Sequence, residues 1–343
     1  MENTNRTELQ SLGEFGLIRR ISADTTLQNP ESVRGIGDDA AVIDVGNQYL
    51  LLSTDMLVEG VHFDLSYVPL KHLGYKSVAV NVSDIAAMNG IPKQIVVGLA
   101  LSNRFSAEAI DELYEGIRAA CRSYQVDLVG GDTTSSSSGL IISISVTGLV
   151  DKEKVVLRST ARPNDVICVT GDLGGAYVGL QLLEREKRVF LTNPDMQPEL
   201  QGKDYMLERQ LRPEARMDFI HELRDLGVVP TSMIDISDGL ASELLHICTQ
   251  SGVGANIFEE KIPISPLTYD NAVELSLDPI TCALNGGEDY ELLFTINQSD
   301  YDKIKNLPDV AFVGYVTDQP QAVNLITSGG NTYAVKAQGW EHF

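Results

Sequence analysis

The stretch KHLGYKSVAVNVSDIAAM, residues 71–88, decides how the first half of the chain is read. Its middle, Ala79 to Ser83, alternates apolar and polar residues as a half-buried strand does, while its length without an internal breaker is that of a helix. A helix brings Ser77, Asn81 and Asp84 onto one polar face at i, i+4 and i+7, and a helix is the reading adopted. Before it, the turn Gly35-Ile36-Gly37-Asp38-Asp39 opens two apolar runs, Ala40 to Val45 and Tyr49 to Ser53, joined by Gly46-Asn47 in hairpin fashion. Further back, a polar, flexible N-terminus (residues 1–12) precedes a short helix from Gly13 to Ile21 with an apolar face of Phe15, Leu17, Ile18 and Ile21. Beyond residue 88 the pattern predicts an amphipathic helix from Ala107 to Ser123, a buried strand from Val126 to Val129, a Ser/Thr loop from Thr133 to Gly139, and a strand from Leu140 to Leu149.

Charged residues from Asp151 to Lys154 and the turn Ala161-Arg162-Pro163-Asn164-Asp165 then interrupt the pattern. They divide the chain into an N-terminal domain, residues 13–150, and a C-terminal domain, residues 151–343. The second half mixes strands (Val166 to Thr170, Met233 to Ile236) with helices (Gly174 to Arg185, Pro213 to Leu226, Asp238 to Thr249). Strand and helix signals continue through Tyr290 to Ile296, Ser299 to Ile304 and Ala311 to Val316, giving a mixed α/β class. Residues 186–210 read as an exposed linker.

At 343 residues the chain has room for about two domains. Its 48 acidic and 26 basic residues give a formal charge of −22, which repels a nucleic acid and leaves no basic footprint for one. Four scattered cysteines form no metal-ligand spacing and read as reduced thiols. With no apolar leader and no run long enough to span a bilayer, the expectation is a cytoplasmic protein.

Three apolar runs end in small residues and an aspartate: Leu51 to Asp55, Leu128 to Asp132, and Met233 to Asp238. Singly, each aspartate reads as a turn or helix cap. Together with Asp39 and Asp84 they form a set that could converge, and carboxylates about 5 Å apart repel by about 3 kcal/mol each at an effective dielectric of 20. Convergence therefore implies bound cations, and an all-oxygen ligand set suits magnesium or manganese better than zinc. Glycines at 35, 37, 130 and 131 would let backbone amides approach a polyanion, and Arg158 could neutralise phosphate oxygens. The Walker, dinucleotide and protein-kinase signatures are all missing, as is a nucleophile elbow. His62 follows Asp55 closely enough to share its cleft, and Glu288 stands behind two glycines and ahead of a strand.

The motifs GIGDDAAVI, STDMLVEGVHF, KSVAVNVSDIAAM, GGDTT, RSTARPNDVICVTGDLGG, DISDGLASEL, NGGEDYELLF and the terminal GWEHF occur in order from about residue 13 to the end. In this the chain resembles the thiamine-monophosphate kinase family, within the aminoimidazole ribonucleotide synthetase-like superfamily of ATP-using enzymes. The resemblance implies an N-terminal ATP- and magnesium-binding domain that forms a β-barrel across a homodimer, followed by a C-terminal α/β domain. It implies phosphoryl transfer from ATP, as co-substrate, to thiamine monophosphate, giving thiamine diphosphate and ADP, with neither covalent nucleophile nor general base. Position by position, it assigns Asp39, Ser53, Thr54, Asp55, Asp84, Asp132, Asp235 and Asp238 to several Mg2+ ions. Gly131, Arg158 and Ser237 fall to ATP, and His62, Glu288 and Trp340 to the thiamine substrate. The alternatives are a sibling enzyme that activates another small molecule with ATP, and a nucleotide- or metal-binding protein without catalysis.

Overall fold

The computed structural model describes residues 11–338. The first half contains α1 (Gly13–Ala23), β1 (Ser32–Arg34), β2 (Ala41–Asp44), β3 (Gln48–Val58), α2 (Leu70–Ala87), β4 (Ile91–Leu101), α3 (Ala107–Tyr124), β5 (Asp127–Ser135) and β6 (Leu140–Asp151). The second contains β7 (Val166–Thr170), α4 (Gly175–Thr192), α5 (Asp204–Leu211), α6 (Met217–Asp225), β8 (Ser232–Asp235), α7 (Leu240–Ser251) and β9 (Gly254–Phe258). It closes with α8 (Pro266–Glu274), α9 (Pro279–Asn285), β10 (Leu292–Ile296), α10 (Tyr301–Ile304), β11 (Val310–Thr317), β12 (Val323–Ile326) and β13 (Thr332–Ala334). The strands form a six-stranded sheet of order β1-β2-β3-β6-β4-β5 and a seven-stranded sheet of order β13-β12-β9-β11-β7-β10-β8.

Residues 71–88 are helical, and α2 is wedged between the sheets. It packs on β3, β4 and β6 of the first and on β8 of the second. From Leu73 to Ala87 all but Asp84 are buried, so the expected polar face is also interior. Its groups are satisfied locally: the Ser77 hydroxyl donates to the Gly74 carbonyl, the Asn81 amide donates to the Ser77 carbonyl, and Asn81 Oδ1 accepts the Asp55 N–H. Gly74 and Gly116 let α2 and α3 touch, since a Cβ on Gly74 would lie 2.0 Å from the Leu113 carbonyl oxygen. One apolar core runs from Leu51 and Ile85 through to Met233 and Phe294, joining the two sheets.

Several expectations are corrected. The strand expected to be buried at 126–129 is an exposed edge strand, β5, that extends to Ser135 through the first part of the expected Ser/Thr loop. An apolar Leu-Val pair signals a strand but not which side of a sheet it ends on. In α1, Ile18 and Ile21 are exposed in the single chain. The segment expected to be a linker contains the last turns of α4 and most of α5, whose Met206 and Gln210 are buried. Among residues 213–226 the helix begins only at Met217; just before it the Ala215 N–H donates to the Tyr124 hydroxyl and the Arg216 guanidinium donates to Glu291.

Candidate active site

One bend, two strands and α2 itself place four carboxylates around the C-terminal half of α2. Asp39 follows the turn before β2, Asp55 lies in β3, Asp84 is on α2, and Asp235 ends β8. One oxygen each from Asp39, Asp84 and Asp235 lies within 4.8 Å of the others. Ser53 donates to Asp84 Oδ2 at 2.5 Å, and Ser83 donates to Asp235 Oδ2 at 2.6 Å. Arg158 pairs with Asp39 Oδ1, and its backbone N–H donates to Asp38 Oδ1. Burial, and after it the neighbouring Asp39, pushes the Asp55 carboxyl up to about 6 and that of Asp235 up to about 8. Asp84 is raised well above the usual carboxylate range by burial and then by Asp55, Asp235 and Asp39. Asp38, raised to about 6 by burial and Asp39, belongs to the same electrostatic group and was not singled out from sequence. The doubled aspartate in GIGDDAAVI was the available signal.

Beside this cluster opens a cavity of about 510 Å³, lined by Asp55, Asp84, Asp235, Ser237, Asp238, His62 and Glu288 among others. Glu243 organises the loop after β8: its Oε1 accepts the Asp238 N–H at 2.9 Å and the Ser237 hydroxyl at 3.4 Å. His62 Nδ1 accepts the Val58 N–H at 3.0 Å, so a neutral ring carries its proton on Nε2 and is a donor there. Glu288 stands in a hook of positive φ, with Gly287 at 72°, Glu288 at 59° and Tyr290 at 51°. The hook is held to the β8 end by the Glu288 N–H donating to the Ser237 carbonyl and the Tyr290 N–H to the Ile236 carbonyl. A Cβ on Gly287 would lie 2.6 Å from that Ser237 oxygen, so only glycine fits.

The structure separates other predicted positions from this group. Thr54 projects to the opposite face of its sheet, where its hydroxyl meets the Ile144 carbonyl and Ser145. Gly131 and Asp132 lie on the exposed edge strand β5, three strands from Asp55. The register through Gly98 and Ser143 puts Asp132 on the face of Met56, opposite that of Asp55. Trp340 lies outside the described residues. Among the cavity residues missed are Lys76, the one charged side chain between Leu73 and Ser83, and Gln210, hidden in the expected linker. Lys76 could have been noticed by that contrast; Gln210 had no such signal.

An AIR synthase related protein N-terminal domain matches residues 37–150. Thiamine-monophosphate kinase of Bacillus subtilis is 35% identical over 339 residues, covering 97% of this chain and all of that one. The thiamine-monophosphate kinase of Aquifex aeolicus is 35% identical over 336 residues, 98% of this chain and 99% of that one. In structure, the chain is similar to AaThiL complexed with AMPPCP and TMP, with a TM-score of 0.83 and 33% identity over 99% of this chain and 100% of that one. The hydrogenase maturation protein HypE in complex with ATP, at 20% identity and a TM-score of 0.67, shares the fold.

Proposed function

The chain belongs to the thiamine-monophosphate kinase family, and we propose that Asp39, Asp55, Asp84 and Asp235 are the centre of its active site. The reaction moves the γ-phosphoryl group of ATP to the phosphate of thiamine monophosphate, giving thiamine diphosphate and ADP. One observation carries the placement: the carboxylate oxygens of Asp39, Asp84 and Asp235 converge beside a cavity that also holds His62 and Glu288. Buried carboxylates this close need cations, and Asp39 Oδ2 is a buried acceptor without a hydrogen-bond partner, so the all-oxygen set fits magnesium. Bound there, magnesium supplies charge neutralisation for phosphate oxygens.

The chain's own groups supply position. Ser53 and Ser83 orient Asp84 and Asp235, Glu243 holds the Ser237 and Asp238 loop for nucleotide and metal, and Arg158 offers a cation next to Asp39. The accepting phosphate oxygen is already anionic near neutral pH, so catalysis rests on alignment and charge rather than on a base. The donor state of His62 suits that role, as a hydrogen bond to substrate.

The homodimer belongs to the same proposal. One face of the first sheet exposes Leu52, Met56 and Val96 at 40%, 55% and 41%, next to the exposed edge strand β5. A second copy seated there would cover this surface, and Thr54, Gly131 and Asp132 would complete their sites at that interface. The proposed domains, 13–150 and 151–343, assign one sheet to each. Four free, buried cysteines favour a reducing cytoplasm, and no helix among the described residues is long and apolar enough to cross a membrane.

The decisive assay incubates the protein with ATP, magnesium and thiamine monophosphate and resolves the products. Thiamine diphosphate and ADP in equal amounts, abolished by EDTA, are expected. ATP consumed without thiamine diphosphate, or undiminished turnover in EDTA, would overturn the reading.

A further inference from the structure

On α2, Lys76, Val80 and Asp84 recur at i, i+4 and i+8, and all three line the cavity. Eight residues of helix rise about 12 Å, so this stripe carries Lys76 that far along the cavity wall from Asp84. There the Lys76 side chain, 4% exposed, sits with Nζ 2.8 Å from Glu288 Oε1 and donates to the Gln210 carbonyl at 3.1 Å. The Gln210 amide in turn donates to Glu288 Oε2 at 2.7 Å. Both oxygens of Glu288 are thus held, one by a cation and one by an amide, each with lone-pair capacity left for a further donor.

A buried ammonium beside a carboxylate turns the acid from a bare negative charge into a short dipole, whose attraction for a distant cation falls off steeply. The thiamine substrate carries two features at its organic end: a positively charged thiazolium and a pyrimidine bearing an amino group. A paired, immobilised carboxylate discriminates by hydrogen-bond geometry, which suits the amino group.

We propose that Lys76, with Gln210, is a positioning residue that locks and neutralises Glu288, so that this end of the cavity selects an oriented N–H donor rather than positive charge. It rests on the reading of Glu288 as a substrate contact. Lys76 thereby acts through Glu288 and makes no contribution of its own to phosphoryl transfer.

The test is a double-mutant cycle in the full-length protein with Lys76→Met, Glu288→Gln and the double variant, all near-isosteric. Glu288→Gln is expected to raise KM for thiamine monophosphate about tenfold, with KM for ATP unchanged. Lys76→Met should do the same in the parent but change KM less than about twofold in the Glu288→Gln background, since residues acting through one contact are not additive. Discrimination against the analogue whose ring amino group is replaced by oxygen should fall about tenfold in each variant. Because removing one partner can leave an uncompensated charge, the double variant, in which neither charge remains, carries the comparison if a single variant fails to fold. Multiplicative effects, or a Lys76→Met loss confined to kcat, would overturn the role of Lys76. An unchanged KM in Glu288→Gln would instead overturn Glu288 as a substrate contact.

Discussion

Asp55, Asp84 and Asp235 are raised together because each is withdrawn from water, Asp235 wholly and the other two in part, and each faces like charge. A carboxyl whose folded-state pKa lies above its unfolded value stabilises the fold below the unfolded pKa, and that contribution is lost as pH rises through the folded one. For Asp38 and Asp55 that window runs from about 4 to about 6, and for Asp235 it reaches about 8. In EDTA the melting temperature should therefore fall between pH 6 and pH 8, and added magnesium should raise it more at pH 8 than at pH 6. Scanning fluorimetry with and without the metal checks this, and a magnesium effect independent of pH would argue against the cluster as the metal site. Asp235→Asn separates the two roles of one residue. It should lower turnover by about 100-fold while leaving the metal-free protein as stable as the parent or more so.

At the level of elements, the sequence NGGEDYELLF does four different things in a row. Glu288 enters the cavity, Asp289 accepts the Gly174 and Ala176 N–H groups, Tyr290 adopts positive φ, and Glu291 is gripped by Arg209, Arg216 and Thr170. The N-terminus of α4 has no side-chain cap from its own Gly174, so a carboxylate from more than 100 residues later does that work. Burial pushes Asp289 up to about 6 against the pull of Arg209, which the amide donors assist. Asp289→Ala should cost about 2–3 kcal/mol in urea unfolding, since it uncaps a buried helix end and strips Arg209 of a partner. A change under about 0.5 kcal/mol would show that water replaces the cap at no loss. Such tertiary capping is invisible to a local reading, which registers only a charged turn.

For the whole molecule, the surface that matters is the uncovered face of the first sheet. Charges placed on it by Leu52→Lys with Val96→Lys should convert the proposed dimer to a monomer by light scattering while circular dichroism stays unchanged; a monomeric parent, or a variant dimer of unaltered mass, would take this face out of the interface. By itself, the sequence determined the class of the fold, helix α2, the β2–β3 hairpin and most of the carboxylates that meet around Asp84. Local periodicity and turn chemistry act over a few residues, and motif order ties the chain to a family. Only the tertiary structure decided that α2 is buried on all sides, that β5 is an edge, and that the supposed linker contributes Gln210 to the cavity. It also set Asp132 apart from Asp55 and joined Lys76 to Glu288. Each of these depends on which elements become neighbours, and that is settled by packing and strand order between residues far apart in the chain, where hydrophobic pattern is silent.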